Sequence, residues 1–170
     1  MNSTEAVTRG ASRDYEPPRP VVYGSDDAAD ALAPVLRKSS DAVLRMFRGG
    51  QLPAADLGHG QPGRQRRLLA IPAATIDRVA MHGPASMHLP LGLDAIRASL
   101  EPYPELMTAG DLSRALSIHR QTVFDLVVSG QIPAKRIGHI YVARRSVVAR
   151  WLHGVIRAGL ETWQAKVAAA

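Results

Sequence analysis

The chain has 170 residues, 46% of them hydrophobic, with a formal charge of +6 at neutral pH and an isoelectric point near 10.3. That length and apolar content allow one core or two small ones, and the basic balance favours a polyanionic partner. The absence of cysteine excludes disulfides, thiol catalysis and the usual structural zinc sites; no apolar run approaches membrane-spanning length and no signal-peptide pattern opens the chain, so a cytoplasmic protein is expected.

Residues 1–20 are polar, mixed in charge and end in Glu16-Pro17-Pro18-Arg19-Pro20, with no periodic apolar face. The simplest reading is a flexible arm. Arg9, Arg13 and Arg19 could instead track a nucleic-acid groove, but Asp14 and Glu16 oppose that use.

Residues 21–80 carry the first copy of an internal repeat. Gly50-Gln51-Leu52-Pro53-Ala54-Ala55-Asp56-Leu57-Gly58-His59 aligns without gaps on Gly130-Gln131-Ile132-Pro133-Ala134-Lys135-Arg136-Ile137-Gly138-His139. At the same offset Val43, Met46 and Phe47 fall on Val123, Leu126 and Val127, so one buried helical face recurs. Ser39 takes a helix cap position, where a hydroxyl accepts from free backbone amides. Upstream, Ser25 to Leu32 reads as an earlier helix, followed by a turn around Pro34 a few residues longer than its counterpart. Downstream, Pro72 to Val79 reads as a closing helix, with Ile76 and Val79 opposite Val148 and Trp151. Between them Gly60 to Ile71 makes a long hairpin carrying Arg64, Arg66 and Arg67.

Gly58-His59-Gly60-Gln61-Pro62-Gly63 satisfies the G-x-G-x-x-G spacing of a dinucleotide-binding turn. That motif needs a helix directly after it, and Pro62 with the arginine run denies one, so the match is discounted. Residues 81–104 are a Pro- and Gly-spotted connector in which Leu93, Ile96 and Leu100 predict one short helix. His82 and His88 there lack the partners and spacing of a metal site.

Residues 105–153 hold the second copy. Thr108 caps a short helix with Asp111 three positions on, and Leu112, Ala115 and Leu116 form its buried face. After Ser117 to His119 a second helix buries Val123, Leu126 and Val127 and stops at Ser129-Gly130. Ile132 to Ile137 and Ile140 to Val142 predict two strands around a Gly138-His139 turn, and Val147, Val148, Trp151 and Leu152 a closing helix. Two helices joined by so short a turn are a helix-turn-helix pattern, in which the start of the second faces a DNA major groove. Arg120 suits guanine, Gln121 adenine and Thr122 a phosphate or thymine methyl. Lys135, Arg136 and His139 on the hairpin suit the DNA backbone or minor groove.

The run from TAGDLSRAL through RQTVFDLVVSGQIPAKRIG to VVARWL resembles the excisionase and MerR-like winged helix-turn-helix domains. The resemblance covers under a third of the chain and departs from the family at His119, where Ser is usual, and at Arg144, where Pro is common. It implies a DNA-binding, DNA-bending fold, and together with the internal repeat the expected architecture is a mainly α chain with short β wings, two winged helix-turn-helix domains in tandem. The sites expected in the second head are His119, Arg120, Gln121, Thr122, Lys135, Arg136, His139, Tyr141 and Arg144.

The copies differ in chemistry: Ser40, Asp41, Ala55 and Asp56 stand where the second has Arg120, Gln121, Lys135 and Arg136. In the first head the expected contacts are Ser39, Ser40 and Arg45, with Arg64, Arg66 and Arg67 as a backbone clamp. Residues 154–170 continue the last helix with Val155, Ile156, Leu160, Trp163 and Val167 as an apolar stripe, expected to pack on its own head or to meet a protein partner or a second copy. No catalytic constellation, cofactor or metal is expected. The sequence reading is a bacterial or phage-encoded, nucleoid-associated binder of double-stranded DNA, either a transcription regulator or a recombination factor working beside an integrase. Its rival is an antitoxin-like adaptor in which only the second head binds DNA.

Overall fold

The computed structural model describes residues 16–59, 67–88 and 91–170; at 59, 67 and 88 the backbone alone is described. Helices and two small three-stranded sheets make up a mixed α and β chain. The elements repeat. The first half runs β1 (Val22–Gly24), α1 (Ser25–Leu36), α2 (Ser40–Arg48), β2 (Ala55–His59), β3 (Arg67–Pro72) and α3 (Ala73–His82). After a 3-10 turn at Pro84–His88 and a helix α4 (Leu93–Leu100), the same order returns: β4 (Leu106–Thr108), α5 (Ala109–Leu116), α6 (Arg120–Val128), β5 (Lys135–Ile137), β6 (Ile140–Arg144) and α7 (Arg145–Ala168). The sheets are antiparallel, with orders β1-β3-β2 and β4-β6-β5, so each unit places its last strand in the middle.

Local chemistry sets these boundaries. Thr108 and Asp111 form a reciprocal capping box at the start of α5, the Asp111 amide donating to Thr108 Oγ1 and the Thr108 amide to the Asp111 carboxylate. Both first helices end on a left-handed residue, Arg37 and Ser117, each with φ of 52°. A residue with a Cβ adopts that conformation at a cost of about 1 kcal/mol, and its recurrence fixes the same tight turn in both units. Both second helices then stop at a glycine of positive φ, Gly50 at 72° and Gly130 at 76°.

The anticipated long turn around Pro34 does not exist. Pro34 lies inside α1, and the joints at 37–39 and 117–119 are equal in length. The extra residues instead lengthen α1 to 12 residues against 8 in α5 by one turn at its start, where Ala28 is buried. The second hairpin also begins later than its apolar pattern suggests. Ile132 is a core residue whose amide donates to Leu126 O, and Pro133 has no amide, so strand pairing starts at Lys135. The short connector helix appears as α4, with Ile96 and Leu100 buried.

The two units share a core. One apolar cluster joins Val21, Val22, Leu57 and Ala70 of the first unit to Met107, Leu112, Ala115, Leu116, Val123, Leu126 and Val148 of the second. A second cluster, around Leu32, Val43, Phe47 and Ile71, belongs to the first unit and takes in Met87 of the 3-10 turn that follows it. Polar contacts cross the same seam: the Val21 amide donates to Ala115 O at 2.8 Å and Ser117 Oγ to the Asp27 carboxylate at 3.0 Å.

Two sequence expectations fail at this seam. The tail does not pack only on its own unit: α7 continues unbroken, and its later half lies on β2 of the first. Trp163 Nε1 donates to Gln51 O at 3.1 Å, and Gly159 lies so close to the Ala54 carbonyl that a Cβ there would collide with it. The end of the N-terminal arm is likewise held. Arg19 forms a two-pronged pair with Asp77 at 2.7 and 2.8 Å, which holds the guanidinium charged more firmly than usual, and the Tyr103 hydroxyl donates to the Pro18 and Arg19 carbonyls. Arg19 is therefore committed to the body and is no groove-tracking side chain, while Arg9 and Arg13 lie outside the described residues.

The two glycines of α7 give opposite predictions. Gly154 is exposed with nothing near its missing Cβ, so Gly154→Ala should raise stability by roughly 0.5–1 kcal/mol through helix propensity. Gly159→Ala should lower it by about 1–3 kcal/mol, because the helix must lift off the Ala54 carbonyl. Urea unfolding of the two single variants checks both signs.

Candidate nucleic-acid interface

An open groove of about 520 Å³ lies between the hairpin of the second unit and the starts of α5 and α6. His119, Arg120, Gln121, His139 and Tyr141 meet there, together with Thr108, Phe124 and Ile140. His119 has a dual position. Its Nδ1 accepts from the Gln121 amide at 3.2 Å, so it caps α6, whereas Ser39 caps α2 by accepting from the Ala42 amide. His and Ser thus each satisfy one free amide in the first turn of their helices.

Arg120 and Gln121 are exposed in the first turn of α6, whereas Thr122 is half-buried. Lys135 and Arg136 are exposed on β5, and Arg136 Nε donates to the Gly138 carbonyl at 3.1 Å, which anchors its guanidinium beside the turn. Arg144 is set apart. It ends β6 opposite Leu106, four residues from the hairpin tip, so roughly 13 Å of strand separates it from the groove end of the hairpin.

The outer face of α6 carries more than the sequence reading assigned to it. Phe124, Asp125 and Val128 follow Arg120 and Gln121 at helical spacing, and Phe124 and Val128 are exposed. Gln121 Nε2 donates to Asp125 Oδ1 at 3.1 Å, so the amide that would meet a base is already held by a carboxylate. Phe124 packs edge-on against Tyr141, ring centres 5.7 Å apart, joining α6 to the hairpin. The i, i+4 spacing from Arg120 and Gln121 was the available signal for both residues.

In the first unit the same face has a different charge. Asp41, Arg45 and Arg48 occupy the positions of Gln121, Asp125 and Val128, all exposed, with Lys38 exposed just before the helix. Lys38, Arg45 and Arg48 make no ion pair among the described residues. Ser39 is spent on the cap and Ser40 is half-buried. Arg64 and Arg66 lie outside the described residues, as does the side chain of Arg67. Arg48 and Lys38 were not expected among the contacts, because the carboxylates of Asp41 and Asp56 at the aligned positions repel phosphate.

Among the described residues no group of acidic, histidine or cysteine side chains could hold a metal ion, and no helix is long and apolar enough to cross a membrane. No protein-family model matches the chain, nor does any curated protein or solved structure.

The capping box holds one wall of the groove, since Thr108 lines it and starts α5. Thr108→Ala should cost about 1 kcal/mol, measurable as a lowered denaturant midpoint with unchanged slope.

Proposed function

We propose that the chain is a sequence-specific double-stranded DNA-binding protein built from two winged helix-turn-helix heads, with the second head as the main reader. The observation that carries this reading is the groove where Arg120, Gln121 and His139 converge from a helix start and a hairpin, with Lys135 and Arg136 exposed beside it. A helix start with forked donors suits base edges, and cations on a projecting hairpin suit phosphates. The recurrence of one element and sheet order in the first half supports a second head, and Lys38, Arg45 and Arg48 supply its phosphate-seeking charge. A transcription regulator and an excisionase-like recombination factor share this chemistry, and an integrase gene beside the coding sequence would favour the latter.

The shared core supports a fixed relation between the heads. On one face of a duplex, two second helices read half-sites about 34 Å apart, one helical turn. Inserting one base pair between the half-sites turns them by roughly 35° relative to each other, a change that a single apolar core does not follow.

A random-sequence binding selection, footprinting and a salt titration test the proposal. Two protected half-sites roughly a turn apart, lost on insertion of one base pair, are expected. A single short half-site would leave one working head and make the first unit a protein-binding module. Failure to enrich any sequence would end the DNA reading.

Within the second head, Arg120→Ala should cost on the order of 1–3 kcal/mol at its own base pair and Gln121→Ala should relax base preference, whereas Lys135→Ala should weaken all sequences alike. Asp125→Asn has the opposite sign. Removing that carboxylate should tighten binding to every sequence, with the gain shrinking as salt rises. Affinities on matched and mismatched duplexes at two salt concentrations separate these effects.

A further inference from the structure

The hairpin of the second unit ends in an apolar pair that the core does not use. Ile137 and Ile140 are the last cross-strand partners before the Gly138-His139 turn, and they are 57% and 56% exposed. Directly opposed residues of a ladder point to one face, so two branched side chains stand side by side at the tip. The first unit has an apolar residue at the position of Ile137 as well, but that residue, Leu57, is buried in the shared core. At Ile137 no such cover exists. The turn is short and defined, with Gly138 at φ of 61° and His139 on the negative side, the sign pattern of a tight hairpin turn. The tip is therefore a narrow and stiff projection.

The strand that leads to it is cationic. Lys135 and Arg136 precede the pair on β5, His139 lies between its members, and the Arg136 guanidinium is tied back to the Gly138 carbonyl. Ile140 also lines the groove that holds Arg120 and Gln121, so the apolar tip and the base-facing side chains border one surface. An exposed apolar pair at the end of a strand carrying two cations matches a surface where stacked rings lie beside a phosphate backbone, as in the minor groove of a duplex.

We infer that Ile137 and Ile140 form a wedge that enters the minor groove beside the second head, unstacks one base step and kinks the DNA. The inference rests on the DNA-binding reading and deepens it, by assigning bending to two named side chains. Apolar wedges of this type open base steps and bend duplexes by about 20–90°. Lys135 and Arg136 hold the β5 side of the hairpin against the backbone beside the opened step.

The test uses the full chain on its selected duplex, with 2-aminopurine scanned through the positions flanking the second half-site and with end-to-end energy transfer as a measure of bending. The unaltered protein is expected to raise 2-aminopurine fluorescence several-fold at one step and to shorten the end-to-end distance. The double variant Ile137→Ser, Ile140→Ser should fold normally, because both side chains are exposed, and should lose both signals while keeping the salt slope of binding. Lys135→Ala, the contrasting variant, should reduce the salt slope and keep the fluorescence rise. Binding by the unaltered chain with neither signal would overturn the wedge and leave the DNA reading standing. Retention of both signals by the double variant would also overturn it, and would give the apolar tip to a protein partner. If the unaltered chain binds no duplex, both readings fall together.

Discussion

The close approach of α7 to the first unit is the constraint on which the remaining architecture depends. A helix can lie this close to a neighbouring carbonyl only where it has no side chain, and Gly159 supplies that gap over Ala54, just before β2. Around this contact Trp163 fastens the Gln51 loop, Val155 and Ile156 pack against the shared cluster, and Val21 hydrogen-bonds across to Ala115. The seam thus has an apolar core with a backbone bond at Val21 and an indole-to-carbonyl bond at Trp163. Such a seam resists the hinge motion expected of two domains joined by a linker.

On that fixed frame the two copies have drifted into different chemistry while keeping their backbone rules. The left-handed joint, the capped second helix and the glycine stop recur at the same offset. The outer faces do not. On α6 the cation sits at the helix start and the carboxylate one turn later, whereas on α2 the carboxylate comes first and the arginines follow. Backbone geometry depends on a few residues facing inward or capping ends, so the outward positions were free to change.

Much of this was legible in the residues. The helices, the hairpin turn at Gly138-His139, the Thr108 cap and the buried faces all follow from local periodicity and capping, which act over a few positions. The repeat was legible because turn and core residues must match for the backbone to match. What escaped was set over long distances. Nothing near Gly159 or Trp163 in sequence says that their stripe will lie on Ala54 and Gln51 rather than on its own unit. Pro34 misled for a related reason: its intrinsic cost, about 3 kcal/mol in a helix interior, was overridden by burial of Ala28, Ala29 and Leu32 on the same helix. At the interface, the residue types at Arg120 and Gln121 were evident, but the Gln121–Asp125 bond and the Phe124–Tyr141 contact needed the geometry.

The reach of α7 also bears on the order in which the chain acquires its structure. The Gln51 loop and the β2 surface of the first unit are covered by residues more than a hundred positions later, so they stay open while the intervening chain is made. During synthesis the first unit therefore emerges with an unfinished apolar side, and only arrival of the last helix closes it. Contacts of such sequence separation carry a large loop-closure cost and slow the final step of folding. A chain that stops short of Gly159 would retain most of its local elements and yet lack the piece that seals its oldest part.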